Sequence, residues 1–150
     1  MKTIVIPSDF SQHSIHVAET VIRNSNEPVK LIFTHLFRIG DSIQDLLFST
    51  YRKREHEFVS DQFKKDCNEL LNLFGEIFHS YKIEFFYGNR LAPFKHFLEY
   101  HQVDGIAYSS SYGVPLISKS SLDASPIIKK AGVEVFDIDQ VNSPVVLEKY

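Results

Sequence analysis

The chain reads as an α/β protein built on an open parallel sheet, and three features of its sequence predict that class. Apolar runs rich in strand formers recur at residues 3–6, 29–37, 82–87, 103–108 and 133–138. Segments with apolar residues at helical spacing lie between them. The first run ends in Pro7-Ser8-Asp9-Phe10-Ser11, a strand stop, a carboxylate and a helix-capping serine in succession. In open parallel sheets ligands are read outside the carboxyl ends of the strands, which puts Ser8, Asp9 and Phe10, with Pro7 just before them, at the candidate site.

Composition narrows the class further. A chain of 150 residues, 43% hydrophobic and 23% charged, supplies one core. A net charge of -3 gives no basic field, so neither nucleic acid nor an anionic membrane is the expected partner. The single cysteine, Cys67, cannot close an internal disulfide, and the sequence has no cleavable leader or long apolar span. The expected location is the cytoplasm.

In chain order, the first helix starts at Ser11, whose hydroxyl can cap its first turn, and ends near residues 24–26. It carries Ile15, Ala18 and Ile22 at helical spacing. Residues 29–37 form a second buried strand, and a strand-helix-strand unit of this length implies parallel pairing. After Gly40 a long helical region runs from Ile43 to Phe78, with a charged centre at residues 52–57 that either breaks it or projects into solvent. Lys82 to Tyr87 is the third strand, ending at Gly88. Pro93 suits the first turn of a helix bearing Phe94, Phe97, Leu98 and His101. The fourth strand, 103–108, leads into the polar turn 109–115. Ser120 or Ser121 then caps a last helix that tolerates Pro126 only near its start. The fifth strand closes the domain at residue 138, and residues 139–150 form a tail. Its strand-like run, 145–147, has no local partner and can add to a second subunit.

This arrangement resembles the universal stress protein family over residues 2–138. The residues that carry the likeness are Ile4-Val5-Ile6-Pro7-Ser8-Asp9-Phe10-Ser11, the strand Leu31-Ile32-Phe33-Thr34-His35-Leu36, Gly88, and Val103-Asp104-Gly105-Ile106-Ala107. The resemblance implies a five-stranded parallel sheet flanked by helices, Rossmann-like in the manner of the adenine nucleotide alpha hydrolases, and a homodimer. Members that bind ATP carry a glycine-patterned loop: Gly, two residues, Gly, nine residues, then Gly with Ser or Thr. Glycine lets backbone N–H groups close around phosphate oxygens. Here Ser110 takes the first position, Gly113 the second, and Ser120-Ser121 the terminal pair, six residues after Gly113 instead of nine. Two glycines are replaced and the loop is shortened.

Each candidate keeps two readings. Asp9 either contacts a ribose or a bound metal, as the resemblance implies, or caps the first helix. The hydroxyls of Ser109, Ser110 and Ser111 either donate to phosphate or belong to a plain loop. Ser120 and Ser121 either contact phosphate or cap a helix, and Leu36 either lies under an adenine or joins the core. His13 and His16 share a helix face without the carboxylate or thiolate company of a metal site. No nucleophile-base pair can be assembled. The expectation is a non-enzymatic, dimeric regulatory or stress-response module with weakened or lost ATP binding and no cofactor. The alternative is a sensor that binds ATP with Mg, another adenine nucleotide or some other small ligand.

Overall fold

The strands pair entirely in parallel, in the order β3-β2-β1-β4-β5. A computed structural model describes residues 1–37, 58–88, 90–117 and 121–141. The element order is β1 (Lys2–Pro7), α1 (Gln12–Arg23), β2 (Val29–Phe37), α2 (Asp61–Leu73), β3 (Phe78–Tyr87), α3 (Leu91–Tyr100), β4 (Gly105–Tyr108), α4 (Ser125–Lys129), β5 (Glu134–Asp137) and α5 (Ile138–Val141). Segment 38–57, Ser120 and the tail beyond Val141 lie outside the described residues, so the expectations placed on them have no structural counterpart here.

Period-two alternation along the central strands divides the core. Ile4, Ile6, Leu31 and Phe33 face α1 and α2, where they meet Val17, Ala18, Ile22, Phe63, Cys67 and Leu70. Val5, Ile32, Leu36 and Ile106 face the other way, onto Phe94, Leu98, Ile127 and Ile128 of α3 and α4. The sheet is therefore covered on both sides, as the near-continuous apolar runs require.

Several boundaries depart from the sequence reading, each for a local reason. The helical stripe expected to reach Phe78 stops at Leu73. The third strand starts at Phe78, because all nine residues of β2 need ladder partners and Val29 N already donates to Ile77 O at 2.7 Å. Within α2 the N-cap is Ser60, whose Oγ accepts from Phe63 N at 3.0 Å. Phe58, expected on the same helical stripe, precedes that cap. Ser11 occupies the N-cap position of α1 without a side-chain capping bond; its hydroxyl turns to Asp9 instead. Ser121 caps nothing: α4 begins four residues later, after Ala124. Ser121 instead forms an antiparallel bridge with Phe37. Glu134 to Asp137 is all that remains of the fifth strand, since Ile138 opens α5.

Candidate functional site

The strand order reverses at β1: β2 and β3 lie to one side, β4 and β5 to the other. The chain leaves β1 for α1 on one face of the sheet and leaves β4 for α4 on the other, and in open parallel sheets the crevice at such a reversal is where ligands bind. Pro7, Ser8 and Asp9 line one wall. The 109–113 turn lines the other.

The β1 wall is built by hydrogen bonds among its own serines. Ser8 N continues the ladder to Thr34 O at 2.8 Å. Ser8 Oγ accepts from Phe10 N at 2.8 Å and donates to Ser14 Oγ at 2.7 Å. Phe10 sits at φ 59, a left-handed conformation few bulky residues adopt. Its ring is seated edge-on against Phe63 and Phe85, with centroids 5.7 Å away in both cases. The peg and the Ser8 bond together fix the backbone that carries Asp9.

Asp9 is engaged on both oxygens. Oδ1 accepts from Ser11 N at 3.1 Å and Ser11 Oγ at 2.6 Å, with Ser14 Oγ at 3.5 Å. Oδ2 accepts from Tyr112 Oη at 2.7 Å, across the crevice. Burial pushes the Asp9 pKa up, but the bonds from Ser11 and Tyr112 outweigh it and hold the carboxyl below its ordinary range. The Ser11 hydroxyl, 3.2 Å from Tyr112 Oη, pulls the Tyr112 phenol down. Its bond to Asp9, burial and the Asp9 charge outweigh that pull and raise its pKa. The Tyr112 ring stacks on His13, with centroids 3.8 Å apart and planes 21° from parallel. His13 thus serves as an aromatic shelf, with the His16 ring 6.0 Å beyond it.

The opposite wall is tied down from the end of β5 and the first turn of α5. Ser109 Oγ, Ser110 Oγ and Ser111 N donate to Asp139 Oδ2 at 2.9, 3.2 and 2.8 Å. Ser110 N donates to Asp137 Oδ1 at 3.1 Å. Gly113 has φ 72 and its N–H returns to Ser109 O at 2.8 Å, closing the turn that aims Tyr112 at Asp9.

Beneath the crevice lies His35, fully buried. Its Nδ1 is 2.6 Å from Ser8 O, so this nitrogen carries the proton. Nε2 then accepts from Ser121 Oγ at 2.8 Å, while Ser121 Oγ accepts from Ile117 N at 3.0 Å. Ser121 thereby ties Ile117 to the β1 wall through His35. Leu36 is 1% exposed in the core, and its carbonyl accepts from Leu122 N at 2.8 Å.

The structure thus joins Asp9 to the 109–113 turn, which holds Ser110 and Gly113, through Tyr112, and places the buried Pro7, Ser8, Leu36 and Ser121 in its support. Sequence reasoning missed Tyr112, His13 as its shelf, His35, Asp137 and Asp139. A histidine within an apolar strand and an aromatic within a serine turn were the available signals; Asp139 carried none. Among the described residues no group of three or more His, Cys, Asp or Glu side chains could hold a metal ion, and no helix is long and apolar enough to cross a membrane.

Solved structures share this fold. The universal stress protein UspA from Lactobacillus plantarum matches with a TM-score of 0.59 at 12% identity, over 91% of this chain and 96% of that one. The hypothetical protein MJ0577 matches with a TM-score of 0.59 at 18% identity, over 91% and 94%. A protein from the universal stress protein family from Burkholderia pseudomallei gives 0.52 at 9% identity, over 91% and 94%. No protein-family model and no curated protein sequence matches the chain. The likeness is one of architecture, and the chain has the universal stress protein fold.

Proposed function

We propose that this universal stress protein fold serves as a non-enzymatic regulatory module of the stress-response type, dimeric, in which ATP binding is weakened or lost. The observation that carries the reading is the 2.7 Å bond from Tyr112 Oη to Asp9 Oδ2. The carboxylate placed to accept from a ligand hydroxyl already accepts from the chain's own. A nucleotide entering here must break that bond and unstack Tyr112 from His13 before making any contact. The altered glycine pattern acts in the same direction. Each serine in place of glycine sets a Cβ where phosphate oxygens would approach, and a hydroxyl returns one hydrogen bond, about 0.5–1.5 kcal/mol net. The hydroxyl–imidazole pair formed by Ser121 Oγ and His35 Nε2 is buried at 1% and 0% exposure, away from any substrate, which supports the non-enzymatic half of the proposal.

One observation favours a second reading, a sensor for ATP with Mg or another adenine nucleotide. Tyr112 is 40% exposed and a Cβ built on the neighbouring Gly113 meets nothing within 4 Å. The turn therefore has room to swing away and release Asp9.

Calorimetric titration of the nucleotide-stripped protein with ATP and magnesium, with Asp9→Ala alongside, separates the two. The expected result is no resolved binding to either, and phosphate release at background. Micromolar binding that Asp9→Ala abolishes establishes the sensor. Sedimentation of the full chain and of a chain ending at Val141 tests the dimer; a monomer in both overturns that part.

A further inference from the structure

The serine turn after β4 already holds an anion, and the anion is the chain's own. Ser109 Oγ, Ser110 Oγ and Ser111 N converge on a single oxygen, Asp139 Oδ2, at 2.9, 3.2 and 2.8 Å. A backbone N–H flanked by hydroxyls in a tight turn is the geometry that receives one oxygen of a phosphoryl group. Asp139 is delivered to it by the first turn of α5, directly after β5. Its own N–H donates to Asp137 Oδ1 at 3.1 Å, and the same oxygen accepts from Ser110 N at 3.1 Å. Asp137 therefore seats both the plug and the socket.

We propose that Asp139 is an internal competitor that closes the 109–111 turn to external phosphoryl groups, so that the turn is an inhibited anion site and not a plain loop. The inference rests on the reading that ATP binding is weakened and supplies a cause for it. A phosphoryl oxygen displacing Asp139 would exchange three hydrogen bonds for three of the same kind. It would do so beside the charges of Asp137 and the expelled Asp139, at a net electrostatic cost. The Asp139 carboxyl is exposed, yet its pKa is held down to about 2, first by Ser111 N and then, against desolvation, by the three serine side chains. It remains charged through the physiological range. Removing it leaves three converging donors without their acceptor and takes away one negative charge.

The test uses the full chain, Asp139→Ala and Asp139→Asn, each titrated by amide NMR with inorganic tripolyphosphate and, separately, with ATP. Ser110 and Ser111 amides should move in Asp139→Ala with an affinity about tenfold or more above the unmodified chain, the weight of one charge-assisted hydrogen bond. Asp139→Asn keeps the shape without the charge and should fall between; it decides the matter if Asp139→Ala does not fold. ATP and tripolyphosphate binding alike would mean that the turn reads the phosphoryl group alone; tighter ATP would mean that the Asp9 wall contributes. No movement of these amides in a folded variant overturns the proposal, as does equal affinity in variant and unmodified chain. Micromolar ATP binding by the unmodified chain would instead refute the reading of weakened binding, and the ratio between variant and unmodified chain would still judge the plug.

Discussion

His35 Nε2 and Ser121 Oγ lie 2.8 Å apart although 86 residues separate them, and through Ser8 O on its other nitrogen the imidazole joins the β1 wall to the segment that leads into α4. A ring in that position must stay neutral to accept from the Ser121 hydroxyl. Burial, the largest influence, lowers its pKa below the ordinary 6.5 against the Ser8 carbonyl and the Asp9 charge, which raise it.

Acid stability follows from that sign. The unfolded chain takes up a proton on His35 before the folded chain does, so the stability it contributes is complete above pH of about 6.5 and is lost as pH falls toward the folded-state pKa. His13 and His101 are shifted in the same direction, burial leading in both. The readout is therefore the difference from His35→Asn. That variant should cost about 1–3 kcal/mol at pH near 7.5 by removing the buried imidazole that accepts from the Ser121 hydroxyl and donates to Ser8 O, and its urea midpoint should fall less steeply on acidification. Equal pH slopes for the two proteins would refute the assignment.

The Asp9–Tyr112 bond predicts a linked pair of effects. Tyr112→Phe keeps the stack on His13 and removes only the hydroxyl, so the Asp9 carboxyl should titrate closer to its ordinary value in a carbon-detected NMR series. Because the folded pKa of Asp9 is lowered, its contribution is present above the ordinary value of 3.8 and lost below it. At neutral pH the variant should lose about 0.5–1 kcal/mol, the half-exposed setting keeping the figure small. An Asp9 titration unchanged in Tyr112→Phe would show that the bond does not hold in solution.

Two glycines should respond differently to alanine. At Gly105 an added Cβ would lie 2.8 Å from Phe136 Cε2 and 3.1 Å from the backbone oxygen of Glu134, so Gly105→Ala must force β4 from β5 and cost about 1–3 kcal/mol. Gly113 faces open space and is constrained only by φ 72, so Gly113→Ala should cost about 1–2 kcal/mol through backbone strain alone. Thermal melts measure both. Amide shifts should spread across the sheet for the first and stay within the 109–113 turn for the second.

Cys67 should be inert in the folded protein. It is wholly buried, and its thiol is pushed up to about 12 by burial first and the nearby Asp66 charge second. Thiol reagents at neutral pH should label it only after denaturant unfolds the chain. Rapid labelling of the native protein would contradict the packing of α2 on the sheet.

The architecture was legible where the physics is periodic and local. Alternation of strand and helix patterns yielded all five strands, and the Pro7-Ser8-Asp9 stop marked the carboxyl end of β1. Where two signals overlap, the reading slipped. Ile77 and Phe78 extend the apolar stripe of α2 and belong to β3, because the ladder demand of β2 outweighs helical spacing. Serine is ambiguous in the same way: Ser11 and Ser121 look like caps, but each finds a stronger partner, a carboxylate in one case and a buried imidazole in the other. The contents of the crevice were beyond local reading. Tyr112 meets Asp9 across 103 residues and Asp139 meets Ser111 across 28, and no spacing rule joins residues so far apart.

Phe10 gives the crevice an asymmetry with evolutionary weight. Its left-handed backbone is held by a ring seated among Phe63, Phe85 and His35, so the position of Asp9 is inherited from the hydrophobic core and cannot be altered without disturbing it. The facing wall is a short turn and two aspartates on the rim. Substitutions at these rim positions spare the frame, so a lineage carrying this fold can revise what the crevice accepts by editing residues 110–113, Asp137 and Asp139 while the buried Ser109 and Ile138 and the rest of the core stay untouched.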